Sequence, residues 1–561
     1  MDRRSFLKGG NSNNETVSLQ RERKEIPART SSGVLPYSGT WTTKEVVHLL
    51  KRTMFGAKQA DIQYFLGKTM NQAVDELLNP TTSLPSPPLK DYNTTNATTP
   101  DNDVAFGSTW VNSINNDGTI QSLRLASLKK WWTGNLLNQD RSIREKMTIF
   151  WHHFFSTEMV EVANGNFYYK HLTLLRNRSL GNVKQFVYDI TLDPTMLIYL
   201  NGRLNTAAAP DENYARELQE LFTLGKENNP NYTEADVIAA AKVLTGWRVN
   251  PNDASFPSFY TESRHDASNK QFSSFYSNAI ITGRTGATGG TQEINDLINM
   301  IFSKSTEVSR HIVKRLYRFF VYSEIDATAM QNVIEPLALT LRTNNWEIKP
   351  VLSQLFKSEH FYDVLNRGAQ IKSPLDHVIT LCREWNVVFP LSTDVTNSYS
   401  FWNFTWSVAA ALQQNLGDPP SVAGWPAYYQ IPQYYELWVN ADTLPKRNQL
   451  SDVLVTNGYT ANNFKLIIDV VGYTASLSNP SDPNAVINEV TDRMLMFSLS
   501  ENVKTQLKRD FLLTGQDQDY YWTTAWQTYV GNPTTMNYNI VLVRLAGLYK
   551  YLMNLAEYQL T

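Results

Sequence analysis

One cysteine, Cys382, stands in 561 residues, which excludes an internal disulfide framework and any metal site built on several thiolates. A chain so poor in cysteine fits a cytosolic or an exported bacterial protein equally. No run reaches the roughly 18 consecutive apolar residues of a membrane span, so no transmembrane segment is expected. An excess of one charge sign is also missing. With 51 basic and 53 acidic residues the net charge is -2, which gives no footprint for nucleic acid or a polyanion. There is no short-period repeat, hence no solenoid. The glycine-rich "GRTGATGG" lacks the spacing of a phosphate loop, the histidines lack the H-E-x-x-H order of zinc proteases, and Lys372 followed by Ser373 lacks the S-x-x-K order of a catalytic pair.

What is present is core material. Hydrophobic residues make up 42% of the chain and aromatics 12%, including 14 Trp and 28 Tyr, ample for a sizeable interior. Helical spacing recurs throughout. Val46, Leu49 and Leu50, then Ile62, Phe65 and Leu66, open the chain with short helices. Val308, Ile312, Leu316, Phe319 and Phe320 form a later stripe. Thr233 with Asp236 predicts a reciprocal cap for "TEADVIAAAKVLTGW", and Pro194 breaks "NVKQFVYDITLDPTMLIYL". Residues 247–292 change character and read as a long ordered loop or a small β-hairpin insert. The fold class expected is mainly α, a large multi-helix globular domain with long irregular loops.

The organisation expected is an N-terminal tail over 1–40, a helical domain over 41–450 and a C-terminal helical segment over 451–561 packing on it. "PTTSLPSPPLKDYNTTNATTPDND" is an irregular excursion after the opening helices. "DRRSFLK" (Asp2 to Lys8) looks like a twin-arginine export motif, yet the apolar stretch that should follow is missing. A periplasmic or envelope location and a cytoplasmic one both remain open.

"PDENYARELQELFTLG" (210–225) carries a buried face of Tyr214, Leu218, Leu221 and Phe222, with Asp211 placed to cap its start and Gly225 to end it. The other face presents Asn213, Arg216, Glu217 and Glu220, with Glu212 beside them. Arg216 is four residues from Glu212 and from Glu220, the spacing of an intrahelical charge ladder; the alternative is a site for an anion or a cation. In "SIREKMTIFWHHFFSTE", His152 and His153 point away from the main apolar stripe, and His152 shares a face with Glu145 and Thr148. That arrangement suits a core histidine or an oriented base or ligand. "RHD" places His265 beside Asp266 in the insert, with Lys270 nearby. Convergence of His152, Glu217, His265 and Asp266 would give a site for zinc or another divalent metal. "PPSVAGWP" reads as a rigid loop in which Gly424 takes an unusual backbone angle and Trp425 plugs the core; a carbohydrate-stacking Trp is the alternative.

Several stretches together resemble a bacterial family called domain of unknown function 1800: "HLLKRTMFGA", "REKMTIFWHHFFST", "DPTMLIYLNG", "PDENYARELQELFTLG", "YTEADVIAAAKVLTGW", "RHDASNKQF", "IVKRLYRFFV", "IKSPLDHVI" and "DPPSVAGWP". The resemblance covers roughly residues 45–450 and implies a large helical bacterial protein, commonly with a twin-arginine start, often encoded beside a second exported family. It brings no activity. Where the family reads Trp-His-Asn-His-Phe, this chain has Trp151, His152, His153, Phe154 and Phe155, so Phe154 replaces a family histidine. Two functions follow as expectations. One is a scaffold or binding protein of the cell envelope acting with a protein partner. The other is a metal-dependent enzyme, a hydrolase of envelope or extracellular polymers.

Overall fold

Capping side chains set where helices begin in the computed structural model, which describes residues 32–92, 101–226 and 231–561. The Thr233 amide donates to Asp236 Oδ2 at 2.7 Å, closing the reciprocal cap of the helix Glu234–Val243. That satisfies donors every helix start leaves open. Asp193 accepts from the Met196 amide at 3.0 Å, and Pro194 takes the first helical position, where its missing N–H costs nothing. Hence two helices, Val183–Thr191 and Pro194–Tyr199, replace one broken helix. Asp211 sits one residue too early to be the cap: the helix runs Asn213–Glu220 with Glu212 at the cap position, and Asp211 accepts from the Asn213 amide at 2.9 Å. Past its end, Gly225 has φ +77° and a Cβ there would overlap the His311 ring. His311 in turn donates to the Leu221 carbonyl at 2.7 Å.

Helices account for 57% of the residues and strands for 5%, so the architecture is mainly α. Strands form only antiparallel pairs among the described residues. Trp247–Val249 pairs with Ser258–Tyr260, and Lys270–Gln271 with Ile280–Ile281, both inside the 247–292 insert. The insert ends before residue 292, because Gly289 opens the helix Gly289–Ser303. The third pair, Tyr459–Ala461 with Phe464–Leu466, packs on the helix Val395–Ala411, where Tyr459 stacks on Phe404.

The helix Arg144–Phe154 is buried within the main core, which extends from Val46 to Tyr558. Phe150 meets Phe319 and Phe320 of the helix Ser305–Phe320, and Trp151 stacks on Phe155 and meets Phe186 edge-on. Every residue from Glu145 to Phe154 is buried. The expected division into an apolar stripe and a polar face therefore does not hold here, since neighbours cover the helix on all sides.

The first and last described residues are both tied in. The terminal helix Thr535–Asn554 packs on Thr443–Thr456, Val470–Ala475 and Tyr520–Gly531. Trp385 meets Tyr473 and Tyr549 at ring separations of 4.6 and 4.8 Å. The Thr561 amide donates to the Gln370 carbonyl at 2.8 Å, beside a bridge between Ile371 and Leu560. At the other end, the stretch expected as tail up to residue 40 is pinned in its last part. The Tyr37 amide donates to the Lys357 carbonyl and the Glu359 amide to the Leu35 carbonyl, each at 2.8 Å. The twin-arginine-like residues 2–8, and residues 93–100 of the irregular excursion, lie outside the described residues.

Candidate ligand groove

The residues singled out by sequence occupy three separate places. In the core, His152 Nε2 lies 2.8 Å from the Tyr168 hydroxyl, which itself lies 2.9 Å from the Thr157 carbonyl and 3.1 Å from the Gly417 carbonyl. Two carbonyls compete for that hydroxyl proton, so the hydroxyl accepts from His152 and the proton sits on Nε2. Burial holds the His152 pKa well below the ordinary value, with His171 and Lys129 adding to the effect. A neutral imidazole joins helix layers here. Glu145 does not orient it: its carboxylate takes the Arg176 guanidinium through two hydrogen bonds of 2.8 and 3.0 Å, the fork geometry arginine favours.

The charged face of Asn213–Glu220 carries the expected ladder within one helix and extends it to the next. Arg216 contacts Glu212 at 3.1 Å and Glu220 at 3.9 Å, but its closest partner is Glu234 of the next helix, held through 2.7 and 2.9 Å bonds. Glu217 is half-buried, and burial together with neighbouring Glu220 raises its pKa. Asn213 is exposed.

In the insert, His265 Nε2 lies 3.1 Å from Glu293 Oε1, and Nδ1 lies 3.0 Å from the Thr245 carbonyl. Lys270 meets the other Glu293 oxygen at 2.5 Å. Burial acts to raise the Glu293 pKa, yet the hydrogen bonds from His265 and Lys270 outweigh it and hold the carboxyl low. Asp266 accepts from the Ser268 amide at 2.8 Å and closes a turn. Glu293, which no sequence motif marked, is the hub that makes these residues structural. Among the described residues no three His, Cys, Asp or Glu side chains come together to hold a metal ion. The set His152, Glu217, His265 and Asp266 expected for zinc is thus not assembled, because each is engaged or placed with different neighbours.

The "PPSVAGWP" loop locks onto the histidine helix. Gly424 has φ +87° and a Cβ would overlap His153; the Trp425 amide donates to His153 Nδ1 at 3.1 Å. Trp425 is 2% exposed, which removes it as a sugar-stacking platform.

A different region is open. A groove of about 730 Å³ runs between the helix Gly118–Leu137, the end of Pro374–Glu384 and the start of Val395–Ala411, roofed by the Pro85–Leu89 segment. That volume lies in the usual ligand-site range of about 300–1,000 Å³. Local sequence shapes it. At Gly134 a Cβ would overlap the Trp402 ring, so the glycine lets that ring lie against the helix. Trp131 Nε1 donates to the Ser86 carbonyl at 2.7 Å, and the Leu89 amide donates to the Tyr399 hydroxyl at 2.7 Å, holding the roof. Three lining residues hold a buried donor without a partner: Asn135 Nδ2, Trp402 Nε1 and Arg383 Nε. Burial lowers the Arg383 pKa to about 10, which leaves it cationic at neutral pH. Cys382 also lines the groove, with burial pushing its thiol up to about 12, so it is a protonated, unreactive group. Leu391 at the rim is 76% exposed. The groove is built from distant stretches of bland composition that sequence reasoning passed over; the signal that could have marked it is "NVVFPLST", apolar without helical period.

A large, mainly α protein with an open groove of mixed polarity is what fold and site define. The chain belongs to the family described as Protein of unknown function (DUF1800), which matches residues 48–560. No curated protein and no solved structure matches it.

Proposed function

We propose that this chain is a binding protein of the bacterial cell envelope that holds an extended segment of a protein partner in the groove. The observation that carries the reading is an open groove of mixed polarity whose lining residues Asn135, Trp402 and Arg383 hold buried donors without a partner, which a small side-chain rotation would turn towards a ligand. A buried donor without an acceptor is costly, and a ligand rich in carbonyl oxygens removes that cost. A peptide backbone offers such oxygens at regular spacing, and its side chains suit walls made by Trp131, Phe389 and Leu391. The "DRRSFLK" start supports the envelope location.

The test places a photo-crosslinking residue at Leu391, with Val543, exposed on the terminal helix, as the control. One protein adduct at Leu391, found in the envelope fraction and absent at Val543, is expected. Adducts at Val543 alone, or a chain confined to the cytosol with none at Leu391, would overturn the reading.

A further inference from the structure

The helices Tyr520–Gly531 and Thr535–Asn554 form a hairpin that encloses a cleft of about 300 Å³. Its walls follow from helical spacing. Tyr520, Thr524 and Thr528 stand four residues apart along one helix, and Asn537, Ile540 and Arg544 share a face of the other. Tyr520 stacks on Tyr521 with ring centres 4.4 Å apart, yet it is 57% exposed, so its second face is open. Thr524 and Thr528 make no side-chain hydrogen bond among the described residues, whereas neighbouring Thr523 donates to the Ser481 carbonyl at 2.9 Å. Arg544 is the charged member of the lining. Its Nη1 donates to the Leu512 and Tyr521 carbonyls at 2.9 Å each, which fixes the guanidinium, and the rest of its donor fork meets no acceptor among the described residues. No Asp, Glu, Lys or Arg occurs from Tyr520 to Val543, so neither wall offers it a carboxylate. Burial alone moves its pKa, downwards, with no acidic neighbour to offset it.

We propose that this cleft binds a sugar ring carrying a carboxylate, the unit of a uronic-acid polymer. The open face of Tyr520 takes the apolar face of the ring. Hydroxyls that both donate and accept, on Thr524 and Thr528, match ring hydroxyls. Asn537 Oδ1 can accept from another, since its Nδ2 already donates to the Asn532 carbonyl at 2.8 Å. The free edge of Arg544 pairs with the carboxylate, a charge-assisted contact that a neutral sugar does not make. The volume lies at the small end of ligand sites, which span about 300–1,000 Å³, and suits one unit of a chain that continues into solvent. The cleft shares no lining residue with the groove beside Trp402 and does not depend on what that groove holds.

The test is saturation-transfer NMR on the full chain with short oligomers of galacturonate, glucuronate and mannuronate, the methyl-esterified galacturonate oligomer, and benzoate. Transfer to the ring protons of an acidic oligomer is expected, and esterifying that oligomer should weaken binding about tenfold, because Arg544 loses its partner. Tyr520→Ala, at an exposed position, should keep the melting temperature and abolish the transfer. Absence of transfer to every acidic oligomer overturns the proposal, as does an ester bound as tightly as its acid. Transfer to benzoate alone also overturns it, since the site then takes an aromatic acid and not a sugar. Transfer kept in Tyr520→Ala places the binding elsewhere and rejects the cleft. Should Tyr520→Ala fail to fold, Thr524→Trp, which fills the cleft from an exposed position, decides in its place: loss of transfer supports the site, and transfer kept rejects it.

Discussion

The helix Arg144–Phe154 and the groove beside Trp402 both bury polar side chains, and they treat them in opposite ways. On the helix, Glu145 has Arg176, Lys146 has Asp376, His152 has Tyr168, and His153 has both Arg315 and the Trp425 amide. In the groove, Asn135 Nδ2 and Trp402 Nε1 face no acceptor. His152 Nδ1 and Arg176 Nη1 are also unpartnered, so the difference lies in whether a side chain has any hydrogen-bond partner at all, as His152 and Arg176 do and Asn135 and Trp402 do not. Residue type alone does not reveal it, since His152, Glu145 and His265 drew attention first and proved to be engaged.

The largest effect that would sharpen this contrast comes from Glu145→Ala. It strands the Arg176 guanidinium, whose pair has side chains only 2% and 5% exposed, and should cost about 3–5 kcal/mol in denaturant unfolding. A cost near zero would break the distinction. Next is a pH effect. Burial lowers the Lys372 pKa from 10.5 to about 7, with Lys51 and Arg447 adding to it and Glu384 and Asp376 opposing. Between those values the unfolded chain binds the extra proton, so this residue makes stability rise with pH from about 7 towards 10.5. Lys372→Met should flatten that rise, read as urea midpoints of both proteins at neutral and alkaline pH. Arg216→Ala, at a partly exposed network, should cost about 1 kcal/mol or less in the same unfolding assay and less still in high salt. The smallest effect belongs to the groove. Asn135→Ala should change stability by no more than about 0.5 kcal/mol while weakening the crosslink at Leu391.

Local chemistry was readable in advance. The Thr233 and Asp236 cap, the break at Pro194 and the strained Gly424 beside buried Trp425 each depend on a few neighbouring residues, and each stands as the sequence predicts. The helical class followed from periodicity for the same reason. What could not be read depended on contacts between distant stretches. The Arg216 partner Glu234 lies on the next helix, the all-round burial of His152 needs neighbours from residues 132, 168 and 425, and the groove joins residues near 86, 135 and 390. A helical wheel shows which residues share a face, but it does not show how many faces the rest of the chain will cover.

The bridge between Ile371 and Leu560 also bears on the order of assembly. Lys372 reaches the Tyr558 carbonyl, and Lys51 near the start reaches the Met494 carbonyl. The interior around them stays unsealed until those late residues have emerged from the ribosome. Early helices must therefore wait, exposed, for partners made hundreds of residues afterwards. A truncation removing residues 556–561 is therefore expected to unsettle the whole core rather than leave a slightly smaller native protein, read as loss of a single sharp urea transition.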